Sequence, residues 1–224
     1  MIISSISQEN INKAIKLLEL ENYSEAIKII NNLKKEKKNK TISLFLMGIY
    51  HIKNKQAHDA KKCFIKVLER EVNHLDANLN LGLIFYSEKN YDRAEFYFNK
   101  VINLNYNHLH AHYHKGLIFF YTKKYNESIK SLEKCKEISS QFYPVFLVLG
   151  HIYRQTKKFE KAVENYQKFL EKYPNDNVSK FNLAITYFAL SDLENGFKYY
   201  EFRQNKTKPN QKTIDVINKF NPIE

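Results

Sequence analysis

Small residues recur in this chain at two positions, each repeated every 34 residues and flanked by large apolar residues at helical spacing. The first position runs Ala14, Gly48, Gly82, Gly116, Gly150 and Ala184. The second runs Ala26, Ala60, Ala94, Ser128, Ala162 and Gly196. A large apolar residue lies three places after the first position: Leu17, Phe85, Phe119, Tyr153 and Tyr187, with His51 the exception. Another lies four places after the second: Ile30, Phe64, Phe98, Leu132, Tyr166 and Tyr200. A third precedes the second small residue in five of the six periods: Tyr23, Tyr91, Tyr125, Phe159 and Leu193. Side chains three and four apart share a helix face, and the residues between the runs are turn formers. The pattern therefore predicts two helices per period, crossing at the small residues. Helix axes approach to about 8–10 Å only where side chains at the crossing permit it. Six periods follow without insertion: 7–40, 41–74, 75–108, 109–142, 143–176 and 177–210. Asp92 with Glu95 reads as a capping box, Pro144 as a first-turn proline and Pro174 as a stop between periods. After the break at Pro209, Ile214, Ile217 and Phe220 share one helical face. Residues 211–224 are thus expected to hold a capping helix or the start of a linker.

The run Leu149-Gly150-x-x-Tyr153, then Ala162-x-x-x-Tyr166, then Pro174 resembles the tetratricopeptide repeat, whose period is 34 residues. The resemblance covers residues 7–210. The family's early tryptophan is absent: Asn10, Leu44, Asn78, His112, Phe146 and Lys180 stand in its place. The resemblance implies an all-α fold, a right-handed superhelical solenoid of antiparallel helix pairs. The first helices would line a concave groove, and each repeat would lean on its neighbours. The segment Gly196-Phe197-Lys198-Tyr199-Tyr200-Glu201-Phe202-Arg203 looks like the closing repeat that precedes bacterial glycosyltransferase domains. A separate or fused glycosyltransferase is one partner this implies.

Composition narrows the picture. With 43% hydrophobic and 27% charged residues the chain is not a disordered one. No apolar run approaches the roughly 18 residues of a membrane span, and Ser4 and Ser5 directly after Met1-Ile2-Ile3 leave no leader h-region. The two cysteines, Cys63 and Cys135, form no disulfide framework, so a reducing, cytoplasmic setting is expected. The net charge of +12 invites a nucleic-acid reading, but only Arg70, Arg93, Arg154 and Arg203 are arginines. An excess of Lys, Asn, Ile and Tyr is what an A- and T-rich genome encodes, and no nucleic-acid partner is expected. Lys66, Lys100, Lys134 and Lys168 form a stripe on the second helices, either a docking strip for an anionic partner or a solvated outer face. The run Lys34 to Lys40 is placed at the end of a second helix, where cations complement the dipole.

No catalytic or phosphate-binding motif is present, and the repeat accounts for all five glycines. Neither catalysis nor a cofactor is expected. His110, His114 and His151 face the groove side, where three imidazoles would suit zinc. The alternative is that they line the groove and that His112 packs in the tryptophan position. Three groove columns are apolar: Ile11, Phe45, Leu79, Tyr113, Leu147, Phe181; then Ile15, Ile49, Leu83, Leu117, His151, Ile185; then Leu18, Ile52, Tyr86, Phe120, Arg154, Phe188. Either they form an exposed apolar patch or they are buried between neighbouring repeats. Asn12, Asn80 and Asn182 resemble the asparagine ladder of O-linked N-acetylglucosamine transferases, broken here by Leu46, His114 and Val148. The expected binding surface for a protein segment is Phe45, Ile49, Asn80, Leu83, Tyr86, Tyr113, His114, Leu117, Phe120, Leu147, His151 and Arg154.

Overall fold

The structure is a computed structural model that describes residues 5–202. These form twelve α-helices joined by short turns, with no strand among the described residues. They are α1 (Ser5–Glu19), α2 (Tyr23–Lys35), α3 (Lys40–Lys53), α4 (Ala57–Arg70), α5 (Leu75–Ser87) and α6 (Tyr91–Leu104). There follow α7 (Leu109–Tyr121), α8 (Tyr125–Ile138), α9 (Pro144–Gln155), α10 (Phe159–Lys172), α11 (Asn177–Ala189) and α12 (Leu193–Tyr200). The chain divides into two compact units, residues 1–114 and 115–224, with the boundary inside α7. The fold class is all-α, as the periodicity predicts. The expected capping helix lies outside the described residues. Among the described residues no helix is long and apolar enough to cross a membrane.

In the first unit the small positions sit where helices cross. A Cβ on Gly48 would lie 2.6 Å from the Phe64 ring, and one on Gly82 would lie 2.7 Å from the Phe98 ring. Phe64 and Phe98 are wholly buried, as are Ala60 and Ala94. In the second unit a Cβ on Gly150 would lie 2.7 Å from Tyr166, and one on Gly116 would lie 2.8 Å from Leu132. Ser128, standing where the other pairs have Ala or Gly, donates its buried hydroxyl to the Gly116 carbonyl at 2.7 Å. A buried hydroxyl needs such a partner.

The turn inside each pair closes through one left-handed residue. Glu21, Lys55, Lys89, Lys123, Lys157 and Ser191 all have φ of 58–60°. Each amide there bonds back to the preceding helix, for example Lys89 N–H to Tyr86 O at 2.9 Å. None of the six is glycine, so every one of these turns carries backbone strain.

At two of the six tryptophan positions the residue ties down the preceding loop. Asn78 donates from Nδ2 to Val72 O at 3.3 Å and to His74 O at 3.0 Å. His112 Nε2 lies 2.8 Å from Tyr106 O, also six residues back. Two cap details differ from the sequence reading. The N-cap of α6 is Asn90, whose Oδ1 accepts from Arg93 N–H at 3.3 Å, so Asp92 lies in the first turn and is not the cap. The lysine run also extends past α2: residues 37–39 form a 3₁₀ turn, and Lys40 opens α3.

Candidate functional site

The first helices carry two kinds of apolar residue. Some are sealed: Ile11, Leu18 and Phe188 are buried. Others stay partly exposed: Phe45, Ile49, Leu79, Leu83, Tyr86 and Tyr113 in the first unit, and Leu117, Phe120, Leu147, Phe181 and Ile185 in the second. The crossing residues of the second helices differ. Phe64, Phe98, Leu132 and Tyr166 expose nothing.

In the first unit, Tyr86, Tyr113 and His114 converge. The His114 ring stacks on Phe98, with centroids 5.4 Å apart and planes 13° apart. Tyr86 meets it edge-on at 5.2 Å and Tyr113 at 5.6 Å. Burial, reinforced by the nearby His110, pulls the His114 pKa down to about 4. Phe45 turns inward onto Phe64 at 5.7 Å and is stacked by His74 at 5.0 Å. Ile49 packs against the α1–α2 core. Asn80 and Leu83 line a cleft of about 260 Å³ together with Ile52, Lys55, Ala57, Ile84 and Ser87.

In the second unit, Phe120, His151 and Arg154 gather around a buried hydroxyl. Tyr166 lies in the core with its hydroxyl 2.9 Å from His151 Nδ1. The His151 ring stacks loosely on Phe120, with centroids 6.3 Å apart. Burial, then the Arg154 charge, lowers the His151 pKa, which favours the neutral imidazole at this contact. Burial raises the Tyr166 pKa and Arg154 opposes the rise. Arg154 Nε is buried without a partner among the described residues. Leu147 leans on the Tyr166–Leu183 core, and Leu117 is half-buried.

The asparagine column is partly committed. Asn80 donates from Nδ2 to Asp76 O at 2.8 Å and Asn182 to Val178 O at 3.0 Å, each on its own helix. No group of three or more His, Cys, Asp or Glu is placed to hold a metal among the described residues. The lysine stripe is largely engaged locally. Lys134 pairs with Glu137 at 2.9 Å and Lys168 with Glu171 at 2.7 Å, while Lys100 sits over the Phe96 ring at 4.8 Å.

Sequence reasoning placed Ile52 in a groove column but not in the expected binding surface, and it missed Lys55, which reads as a turn residue and nothing more. It missed Tyr166 as a polar partner. The signal was present: the one repeat with His in its second groove column also has Tyr, in place of Phe or Leu, on the facing helix. It missed His74 and His108 as N-caps, whose Nδ1 atoms accept from Ala77 N–H at 3.3 Å and Ala111 N–H at 3.2 Å.

Comparison with known families matches residues 53–135 to the family described as anaphase-promoting complex, cyclosome, subunit 3, and residues 144–176 to the tetratricopeptide repeat. The second match spans α9 and α10, the pair with the Gly150–Tyr166 crossing. This chain is a tetratricopeptide-repeat protein. Solved tetratricopeptide-like structures superpose on most of it. PilF of Pseudomonas aeruginosa gives a TM-score of 0.76 at 14% identity, covering 86% of this chain and 88% of that one. A tetratricopeptide repeat protein of Parabacteroides merdae gives 0.71 at 13% identity, covering 96% and 86%. MamA of Desulfovibrio magneticus gives 0.68 at 19% identity, covering 79% and 94%. At these identities the likeness is one of fold. No curated protein matches the chain.

Proposed function

We propose that this repeat protein is a non-catalytic interaction module, six 34-residue repeats long, that binds a polypeptide segment of a partner along its first helices. The observation that carries the reading is the contrast between the sealed crossing residues of the second helices and the partly exposed apolar columns of the first. Phe64, Phe98, Leu132 and Tyr166, which meet the small residues of the first helices, are sealed, whereas Leu83, Tyr86, Tyr113, Leu117, Phe120 and Leu147 keep part of their surface in water, and Ile65, Phe96 and Phe197 on the second helices are scattered exposed residues. Aromatic anchors among partly exposed aliphatics are where binding energy concentrates. Arg154, with no carboxylate paired to it among the described residues, offers an acidic group a charge-assisted bond. The two free cysteines favour a reducing compartment, the cytoplasm.

Selection of a displayed random-peptide library on the wild-type chain tests this. Enriched peptides should share one or two large apolar residues, and Phe120→Ser should weaken them by about 2 kcal/mol or more while helical content is kept. No enrichment, or enriched peptides that bind Phe120→Ser unchanged, would sink the reading. A second reading rests on the Gly196–Arg203 resemblance: the module recruits substrates to a glycosyltransferase. Copurification of a glycosyl-transferring activity with the native chain tests it.

A further inference from the structure

The cleft in the first unit lies between the α3–α4 turn and α5. Ile52, Ala57, Leu83 and Ile84 make its walls, and Lys55 stands at its lip. Its volume of about 260 Å³ falls below the roughly 300–1,000 Å³ of small-molecule sites, so it suits one side chain better than a whole cofactor.

The charges around it are unevenly placed. Lys55 is exposed and held in the left-handed conformation at φ 58°, and no carboxylate pairs with it among the described residues. The nearest carboxylate along the chain from Ser87 is Glu88, which is already taken by Lys61 through two contacts of 2.7 and 2.9 Å. Asp76 is at the opposite end of α5, eleven residues from Ser87, about 16 Å at helical rise. Lys55, which lines the cleft with Ser87, thus has beside it a carboxylate already neutralised by Lys61, while Asp76, which acts on His108, lies at the other end of α5.

We propose that this cleft anchors one large aliphatic side chain of the partner segment, with a carboxylate next to that side chain held by Lys55. The proposal rests on the segment-binding reading above and adds to it the pocket and the chemistry of the occupant. The aliphatic side chain is covered by Ile52, Leu83 and Ile84. The carboxylate points towards the α3–α4 turn and away from Asp76, which sets the direction of the bound segment.

The test is a methyl NMR titration of the full chain with the peptide Ac-Gly-Leu-Glu-Gly-NH2 and three analogues: Leu→Ala, Glu→Gln and Glu→Lys. The Leu-Glu peptide should produce saturable shifts at the Ile52, Ala57, Leu83 and Ile84 methyls. Affinity should fall at least fivefold for Leu→Ala and at least threefold for Glu→Gln, and further for Glu→Lys. Lys55→Gln, an exposed change checked for unaltered helicity, should erase the difference between the Glu and Gln peptides. The absence of saturable shifts at these methyls overturns the cleft. Equal affinity of the Glu and Gln peptides for the wild-type chain overturns the carboxylate. Saturable shifts confined to other methyls overturn the cleft while leaving the segment-binding reading intact. That reading fails separately, through the library selection and Phe120→Ser.

Discussion

The six left-handed turn residues are the clearest cost carried by single residues. An L-residue in that conformation costs about 1–2 kcal/mol, while a glycine gives back about 0.5–1 kcal/mol in chain freedom lost on folding. Lys89→Gly is therefore expected to stabilise the protein by up to about 1 kcal/mol, read as a rise in the urea midpoint, and Lys89→Val to destabilise it. His114 sets a pH limit. Its pKa falls from 6.5 in the open chain to about 4 in the fold, so the unfolded state binds the proton more readily. Above pH 6.5 both states are neutral and the group has no effect. As pH drops from 6.5 towards 4, stability is lost, by about 3 kcal/mol at the lower end. His114→Leu, which copies Leu46 two registers earlier, should flatten that part of the curve. An unchanged pH profile in the variant would remove His114 as the cause.

Within helix pairs, the crossing residues decide how much change is tolerated. Gly82→Ala gains about 1 kcal/mol of helix propensity, but its Cβ meets the Phe98 ring at 2.7 Å. That ring is wholly buried and stacked on His114, so it cannot yield. Overpacking of about 1–3 kcal/mol should make the change net destabilising. Gly116→Ala meets Leu132 instead, an aliphatic chain with rotamers to spare, and should cost less. Thermal melts that rank Gly116→Ala as the worse of the two would contradict this packing account. The same logic separates what was legible here. Gly48, Gly82, Gly116 and Gly150 announce the crossings in the sequence, because only a missing side chain permits that approach. The α6 cap was misplaced by two residues, because Asn90 and Asp92 are both competent cap residues and backbone geometry selects between them.

At the scale of the molecule, repeats couple mainly to their neighbours. Gly116→Leu should lower amide-exchange protection in α7, α8 and the helices packed on them, and leave α1, α2, α11 and α12 protected. Uniform loss of protection would require a cooperative core that the repeat pattern does not provide. Within the first unit, one long-range tie stands out as exposed yet bidentate, the Lys61–Glu88 pair joining α4 to the end of α5. Exposed pairs of this kind contribute about 0–1 kcal/mol, so Lys61→Met should change stability little.

Periodicity in the chain was enough to specify helix pairs, their small-residue crossings and the apolar columns, because each depends on spacing within one repeat. Whether a column residue is sealed or left in water depends on residues roughly thirty places away. His74 stacks on Phe45 and covers part of it, while Leu83 is left at the wall of a cleft. Likewise, His151 has a polar partner in the fold because a tyrosine fifteen residues on brings its hydroxyl within 2.9 Å of Nδ1. A linear pattern places side chains on faces. Burial, partner choice and pKa follow only once neighbouring helices take away the water.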